Sequence, residues 1–332
     1  MITKNLLMTH GDPLGTIQKL LKEVWIKADL DGFVAAKNGD HYESWRSLIV
    51  EHPDQLDEIN PFRPLMRFNI ARYLPELARE RRGKRYGILL RPCEMRAYNA
   101  MQEKGGPEWD QGITVCFDCL GTFPKQEFEW RAERKGSSEE LARETLQFAR
   151  QGGIAAYRYR SACQMCASPN AQAADVNIGV IGLPVRKYLL VEIGDREAGK
   201  RIRSDLITDG QMDSGLLNQR ERVLSRLTQR NRLVSERVTS SLAGLMPMDL
   251  EEFLTHLEAC GDCQACMENC PICALKFPRR DDTGRYLAQD VSDWLLSCTG
   301  CGMCEQACPG HKPLSAIFRQ LRIQIEEQSY AM

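Results

Sequence analysis

Eight cysteines in two matched runs constrain this chain more than any other feature. Cys260, Cys263, Cys266 and Cys270 are spaced Cys-x-x-Cys-x-x-Cys-x-x-x-Cys and are followed by Pro271. Cys298, Cys301, Cys304 and Cys308 repeat that spacing and are followed by Pro309. Three thiols at two-residue gaps wrap one corner of a cubane, because the tight turn points all three inward. The fourth, after a longer gap, points away, and the proline ends the local helix. This is the bacterial ferredoxin run, in which the fourth cysteine of each run ligates the other cluster. The spacing predicts two [4Fe–4S] clusters. One would be held by Cys260, Cys263, Cys266 and Cys308, the other by Cys298, Cys301, Cys304 and Cys270. Structural zinc is the competing reading, since soft thiolates also bind zinc. Zinc sites, however, use two separated Cys-x-x-Cys pairs rather than four cysteines in one run. Cys273 reads as a small buried apolar residue.

The remaining composition bounds the problem. The 332 residues suffice for about two domains, and a hydrophobic content of 43% supports a packed core. A net charge of −1 gives no general attraction to nucleic acid or to a membrane surface. The first residues contain no apolar core of signal-peptide length. Apolar runs such as Val180–Val185 are too short to span a bilayer. The expected setting is therefore cytoplasmic, with no direct membrane insertion and no nucleic-acid partner. In that setting 14 cysteines point to metal binding or redox work rather than disulfides.

Hydrophobic patterning divides the chain into three parts. Residues 1–195 alternate helices with short apolar strands and read as an α/β domain. Ile17, Leu20, Leu21, Val24 and Trp25 fall at helical spacing. Strands are predicted at Tyr86–Leu90, Ile113–Phe117, Ile154–Arg160, Val176–Gly182 and Lys187–Ile193. Helices are predicted at Glu94–Lys104 and, behind a Ser137/Glu140 capping pattern, at Ser138–Gln151. Residues 196–248 are polar and arginine-rich and read as a helical connector. Residues 249–332 form the ferredoxin-type module, entered by a helix that Asp249 and Glu252 cap. The long, helical stretch between the cysteine runs favours a mostly helical module over the compact β-containing form.

Five cysteines lie outside that module. Cys93 follows a predicted strand at a strand-to-helix turn, Cys116 and Cys119 end the next strand, and Cys163 and Cys166 form a Cys-x-x-Cys pair. Ligands commonly bind where parallel strands end, so four of these thiols could hold a third cluster. A redox dithiol and ordinary core cysteines are the alternatives, and the residues alone leave the three open. Gly152-Gly153 and Gly179-x-x-Gly182 read as turns rather than cofactor contacts, and no glycine-rich phosphate loop stands out. His311 reads as a capping or surface residue.

Four elements in one order carry a resemblance: Tyr86–Leu90 running into Arg91-Pro92-Cys93-Glu94-Met95-Arg96, Cys119-Leu120-Gly121, Cys163-x-x-Cys166 with Ala174-Asp175 and Gly179, and the double cysteine run. Together they resemble the beta subunits of deazaflavin (coenzyme F420)-reducing hydrogenases and formate dehydrogenases, from about Asn60 onward. The resemblance implies an α/β flavin domain, an FAD beside a third [4Fe–4S] cluster on Cys93, Cys119, Cys163 and Cys166, and Cys116 as the spare. Arg91 and Arg96, flanking Cys93, are candidate contacts for flavin phosphate, with salt bridging as the alternative. The function implied is transfer of electrons between clusters and a flavin or other two-electron carrier. The partner implied is a catalytic subunit of formate dehydrogenase or hydrogenase type, because no recognisable molybdenum, tungsten or nickel site is present. The competing reading is a flavin-free iron–sulfur relay to a heterodisulfide-reductase-like partner.

Overall fold

The computed structural model describes residues 3–37, 45–106, 112–154, 158–194, 199, 202, 213–247 and 249–330. The part of the predicted connector at 203–212 lies outside the described residues, as does the centre of the predicted strand Ile154–Arg160.

Apolar runs supply the middle of a seven-stranded sheet. In chain order its strands are β1 (Thr3–Met8), β2 (Gly32–Val34), β3 (Ile49–Val50), β4 (Tyr86–Leu90), β5 (Ile113–Phe117), β6 (Val176–Gly179) and β7 (Tyr188–Ile193). Their spatial order is β1-β7-β6-β5-β4-β2-β3. Strands β2, β4, β5 and β6 are parallel, with Leu90 opposite Cys116 and Cys116 opposite Asn177. Antiparallel β7, β1 and β3 complete the two edges. Every residue of β4, β5 and β6 is buried, as expected for parallel strands covered on both faces.

The predicted opening helix is α1 (Pro13–Lys27), capped by Asp12, and it buries Ile17, Leu20, Leu21, Val24 and Trp25 as patterned. Then follow α2 (Leu74–Glu80), α3 (Pro92–Glu103), α4 (Lys125–Lys135), α5 (Ser138–Gln147) and α6 (Ser161–Gln164). Helix α5 starts where predicted, with Ser137 Oγ accepting from Glu140 N at 3.1 Å. Its predicted last turn is instead a 3-10 segment, Ala149–Gln151.

Two strand predictions need correction. The described residues of Ile154–Arg160 lie in no strand. Strand β6 also stops at Gly179 rather than Gly182. There the backbone N–H groups of Val180 and Ile181 leave the ladder and donate to Asp118 Oδ2, both at 2.8 Å.

Asp118 also fixes the long helix α7 (Ser214–Leu242) across the sheet. It is fully buried and accepts both terminal nitrogens of Arg220, at 2.5 and 3.0 Å. It takes a further bond from Ala171 N at 2.7 Å. Helix α7 can approach because residue 182 is glycine at φ 81°, where an added Cβ would meet Arg220 Cα at 2.6 Å.

The C-terminal part is helical: α8 (Leu250–Glu258), α9 (Ala265–Glu268), α10 (Ala288–Leu296), α11 (Met303–Ala307) and α12 (Leu314–Tyr330). Asp249 caps α8 through Glu252 N at 2.8 Å. One apolar cluster runs from Ile88, Leu90 and Cys116 of the sheet through Met95 and Tyr98 of α3 to Phe253, Trp294 and Phe318 of the helical part. The module is thus packed into the sheet's own core. Among the described residues, no helix is long and apolar enough to cross a membrane.

Removing one partner of a buried ion pair strands the other charge in a medium that penalises it. Asp118→Ala is therefore expected to destabilise the fold by about 3–5 kcal/mol, measured by denaturant unfolding. A loss near that of an exposed salt bridge would mean that Arg220 finds another partner.

Candidate iron–sulfur centres

The parallel sheet decides where the N-terminal cysteines meet. Strands β4 and β5 run side by side in the same direction, so the residues following each emerge at one edge. Cys93 lies there in the first turn of α3, whose start is fixed by Glu94. That buried carboxylate accepts from Arg91 N at 2.8 Å and Ile70 N at 3.0 Å. Cys119 follows β5 directly after the anchored Asp118, and its own N–H donates to Pro169 O at 2.8 Å. Helix α6 brings Cys163 and Cys166, and Asn231 of α7 holds the Cys166 carbonyl at 2.8 Å.

Cys93, Cys119, Cys163 and Cys166 all line one cavity of about 150 Å³. Gly300 and Cys301 of the second cysteine run form part of the same wall. Cys116 does not reach it. It is fully buried in the sheet, and burial holds its thiol well above the ordinary range.

Burial also raises the Cys93 and Cys119 thiols. Cys163 departs from this. Burial alone would raise it, yet the adjacent Arg160 guanidinium and the Thr122 hydroxyl bring it below its ordinary value. Arg160 Nη2 stands 3.7 Å from Cys163 Sγ, and Thr122 Oγ1 stands 3.3 Å from it. Arg160 is only 5% exposed. Its other contacts are Thr122 Oγ1 at 2.7 Å, Gln306 Oε1 at 2.8 Å, and the sulfurs of Met66 at 3.2 Å and Met303 at 3.3 Å. One buried cation thus touches both the α/β part and the cysteine module. Sequence reading missed it, although an arginine three residues before a Cys-x-x-Cys pair was the available signal.

The two arginines proposed for flavin phosphate each have partners within the protein. Arg91 Nη2 donates to Arg63 O at 2.9 Å and Leu65 O at 3.1 Å, and Nη1 lies 4.0 Å from Cys119 Sγ. Arg96 donates to Ser168 O at 3.0 Å and Thr299 O at 3.1 Å, joining α3 to the second cysteine run. Cys166, Cys93 and Cys301 are the thiols that act on its charge. Both guanidiniums therefore serve the thiol cluster as counter-charges and ties.

In the C-terminal module one of the expected thiol sets shares a cavity. Cys260, Cys263, Cys266 and Cys308 line one small cavity of about 40 Å³ with Phe253, Leu257 and Ile317. Burial, with Cys260, Cys308 and Cys263 close by, pushes the Cys266 thiol up to about 12. Cys270 turns the other way. Cys298 is pushed up to about 12 by burial, and Cys270 and Cys301 are the thiols that add to it. Cys304, buried in α11, is surrounded by the thiols of Cys298, Cys301, Cys270 and Cys266. Cys273 is buried, as the sequence suggests, and lies beside Cys270. Gly302 lets the two parts close on each other, since an added Cβ there would meet Ala162 Cβ at 2.4 Å. His311 is exposed.

The donor chemistry fits iron–sulfur clusters. Soft thiols line shared cavities, with cations beside the sheet-edge set. Among the described residues, no three His, Cys, Asp or Glu side chains close on a single metal-ion position.

Comparison with known proteins agrees with this chemistry. Residues 256–311 match the family model described as a 4Fe-4S dicluster domain, which supports 4Fe-4S clusters in this part of the chain. Two curated relatives carry the likeness across the chain. The F420-dependent formate dehydrogenase subunit beta of Methanocaldococcus jannaschii is 22% identical, over 98% of this chain and 93% of its own length. The F420-dependent formate dehydrogenase 1 subunit beta of Methanococcus maripaludis is 23% identical, over 80% of this chain and 74% of its own length. The resemblance to formate dehydrogenase beta subunits drawn from Cys93, Cys119, Cys163, Cys166 and the double cysteine run therefore stands. It extends further than the motifs reached, because the first alignment takes in the residues before Asn60.

Removing the cation should raise the Cys163 thiol. In cluster-free protein, Arg160→Met is expected to move thiolate formation at Cys163 to higher pH, read as slower alkylation of that residue at a fixed neutral pH. An unchanged rate would mean that Thr122 alone sets its acidity.

Proposed function

We propose that this chain is the electron-transfer subunit of a larger anaerobic oxidoreductase of formate dehydrogenase type, with three [4Fe–4S] clusters passing electrons to or from a two-electron carrier. One observation carries the reading. Four thiols from three separate segments line one cavity with Cys301 of the second cysteine run. A group held by Cys93, Cys119, Cys163 and Cys166 would thus be the neighbour of one held by Cys298, Cys301, Cys304 and Cys270. Cys260, Cys263, Cys266 and Cys308 would hold the third, nearest to solvent, since Cys263 is exposed. The order is a path from the sheet edge to the surface.

Flavin is the two-electron component of the proposal. When bound, it exchanges electron pairs with a hydride carrier and single electrons with clusters. A cationic recess supports its placement at the carboxyl end of the parallel strands. Lys37, Arg63, Arg67 and Arg91 line it beside Leu89 and Phe117, where an anionic cofactor group is expected to bind. Arg63, Arg67 and Lys37, which line this recess, are then better candidates for phosphate than Arg96, which does not. The chain's own task is to fix distances, exclude water and place cations beside the thiolates. The oxidation chemistry itself belongs to a catalytic partner subunit.

The test pairs two substitutions in anaerobically purified protein. Cys163→Ser should remove one cluster's iron and leave the ferredoxin-type signals intact. Cys308→Ser should damage the cluster of Cys260, Cys263 and Cys266 and spare that of Cys298, Cys301 and Cys304. Unchanged iron in the first variant, or loss of the neighbouring cluster in the second, would contradict the ligand sets. Flavin released on denaturing the wild type separates this reading from a flavin-free relay.

A further inference from the structure

Cys270 differs from the other thiols of the two runs in what surrounds its sulfur. The indole Nε1–H of Trp294 donates to Cys270 Sγ at 3.3 Å. Cys273 and the backbone N–H groups of Ile272 and Cys273 lie close to the same sulfur. Trp294 is 4% exposed and Cys273 is 1% exposed, so neither has water to fall back on. The indole is held in place by aromatic packing. It meets Phe318 edge-on at 5.0 Å and 77°, and Phe318 meets Phe253 at 5.5 Å and 79°. A buried Trp N–H needs an acceptor, and α10 gives it a cysteine sulfur.

Apolar packing alone does not account for this arrangement. Phenylalanine would fill the same space beside Phe318 without needing an acceptor. What the indole adds is a fixed partial positive charge at one sulfur. A cluster that gains an electron carries more negative charge on its sulfurs. Donors to those sulfurs therefore favour the reduced form and raise the reduction potential.

We propose that Trp294, assisted by Cys273, is a redox-positioning residue that raises the reduction potential of the cluster which Cys270 shares with Cys298, Cys301 and Cys304. The inference rests on the cluster assignment proposed above and deepens it. That cluster is the one beside the four-thiol cavity, so the donors favour an electron arriving at the middle of the path.

The test is a redox titration followed by electron paramagnetic resonance on the anaerobically purified holoprotein, with iron content measured for each variant. Trp294→Phe keeps the ring and deletes the donor. The reduced-to-oxidised ratio of one cluster should fall about fivefold at the wild-type midpoint, the equivalent of about 1 kcal/mol for one hydrogen bond. The other clusters should not move. Cys273→Ala should shift the same cluster in the same direction, and Cys273→Ser, which keeps a donor, should return it towards the wild-type value. An unmoved midpoint in Trp294→Phe of full iron content overturns the inference, as does an equal shift in every cluster. If Trp294→Phe loses iron, an unmoved midpoint in Cys273→Ala overturns it. Iron-free wild-type protein would instead sink the cluster assignment, so the two failures are distinguishable.

Discussion

Burying thiols at the seam between a parallel sheet and a helical cysteine module is the constraint on which the rest of the structure depends. A buried thiolate is costly unless a charge or a hydrogen bond meets it. This fold supplies both. Arg91 and Arg160 approach Cys119 and Cys163, and Arg96 acts on Cys166 and Cys93. Arg96 and Arg160 also tie the two halves together, through Thr299 and Gln306. Removing either of these two guanidiniums would therefore disturb both charge balance and docking.

The sheet supplies the second half of the geometry. Parallel pairing of β4 and β5 delivers Cys93 and Cys119 to one edge, the position where open α/β sheets place their ligands. Asp118 then fixes the turn after β5 by taking bonds from Ala171, Val180, Ile181 and Arg220. One carboxylate ends β6, docks α7 and sets the position of its neighbour Cys119. The helical module needs no such strand, because its thiols are spaced by the cysteine runs and held between α8, α10 and α12.

Much of this was legible in the amino-acid sequence. Tyr86–Leu90 and Ile113–Phe117 were readable as buried strands because each is a short, mostly apolar run. The thiol groupings of the two runs followed from residue spacing. Strands β1, β2 and β3 were not readable. Thr3–Met8 begins with polar residues, and Gly32–Val34 and Ile49–Val50 are too short to show a period. The described residues of the predicted strand Ile154–Arg160 lie in no strand, because a local pattern does not show whether a neighbour is there to pair with. Arg160 and Trp294 were missed for a related reason. Arg160 meets Gln306 across 146 residues, and Trp294 meets Cys270 across 24. Only the folded chain brings those groups together.

The most direct test is the iron and acid-labile sulfide content of the anaerobically purified wild-type protein. The account predicts about twelve of each per chain, four for each of three thiol sets. About eight would leave the sheet-edge cavity without a cluster. Colourless protein with neither iron nor sulfide would contradict the account as a whole.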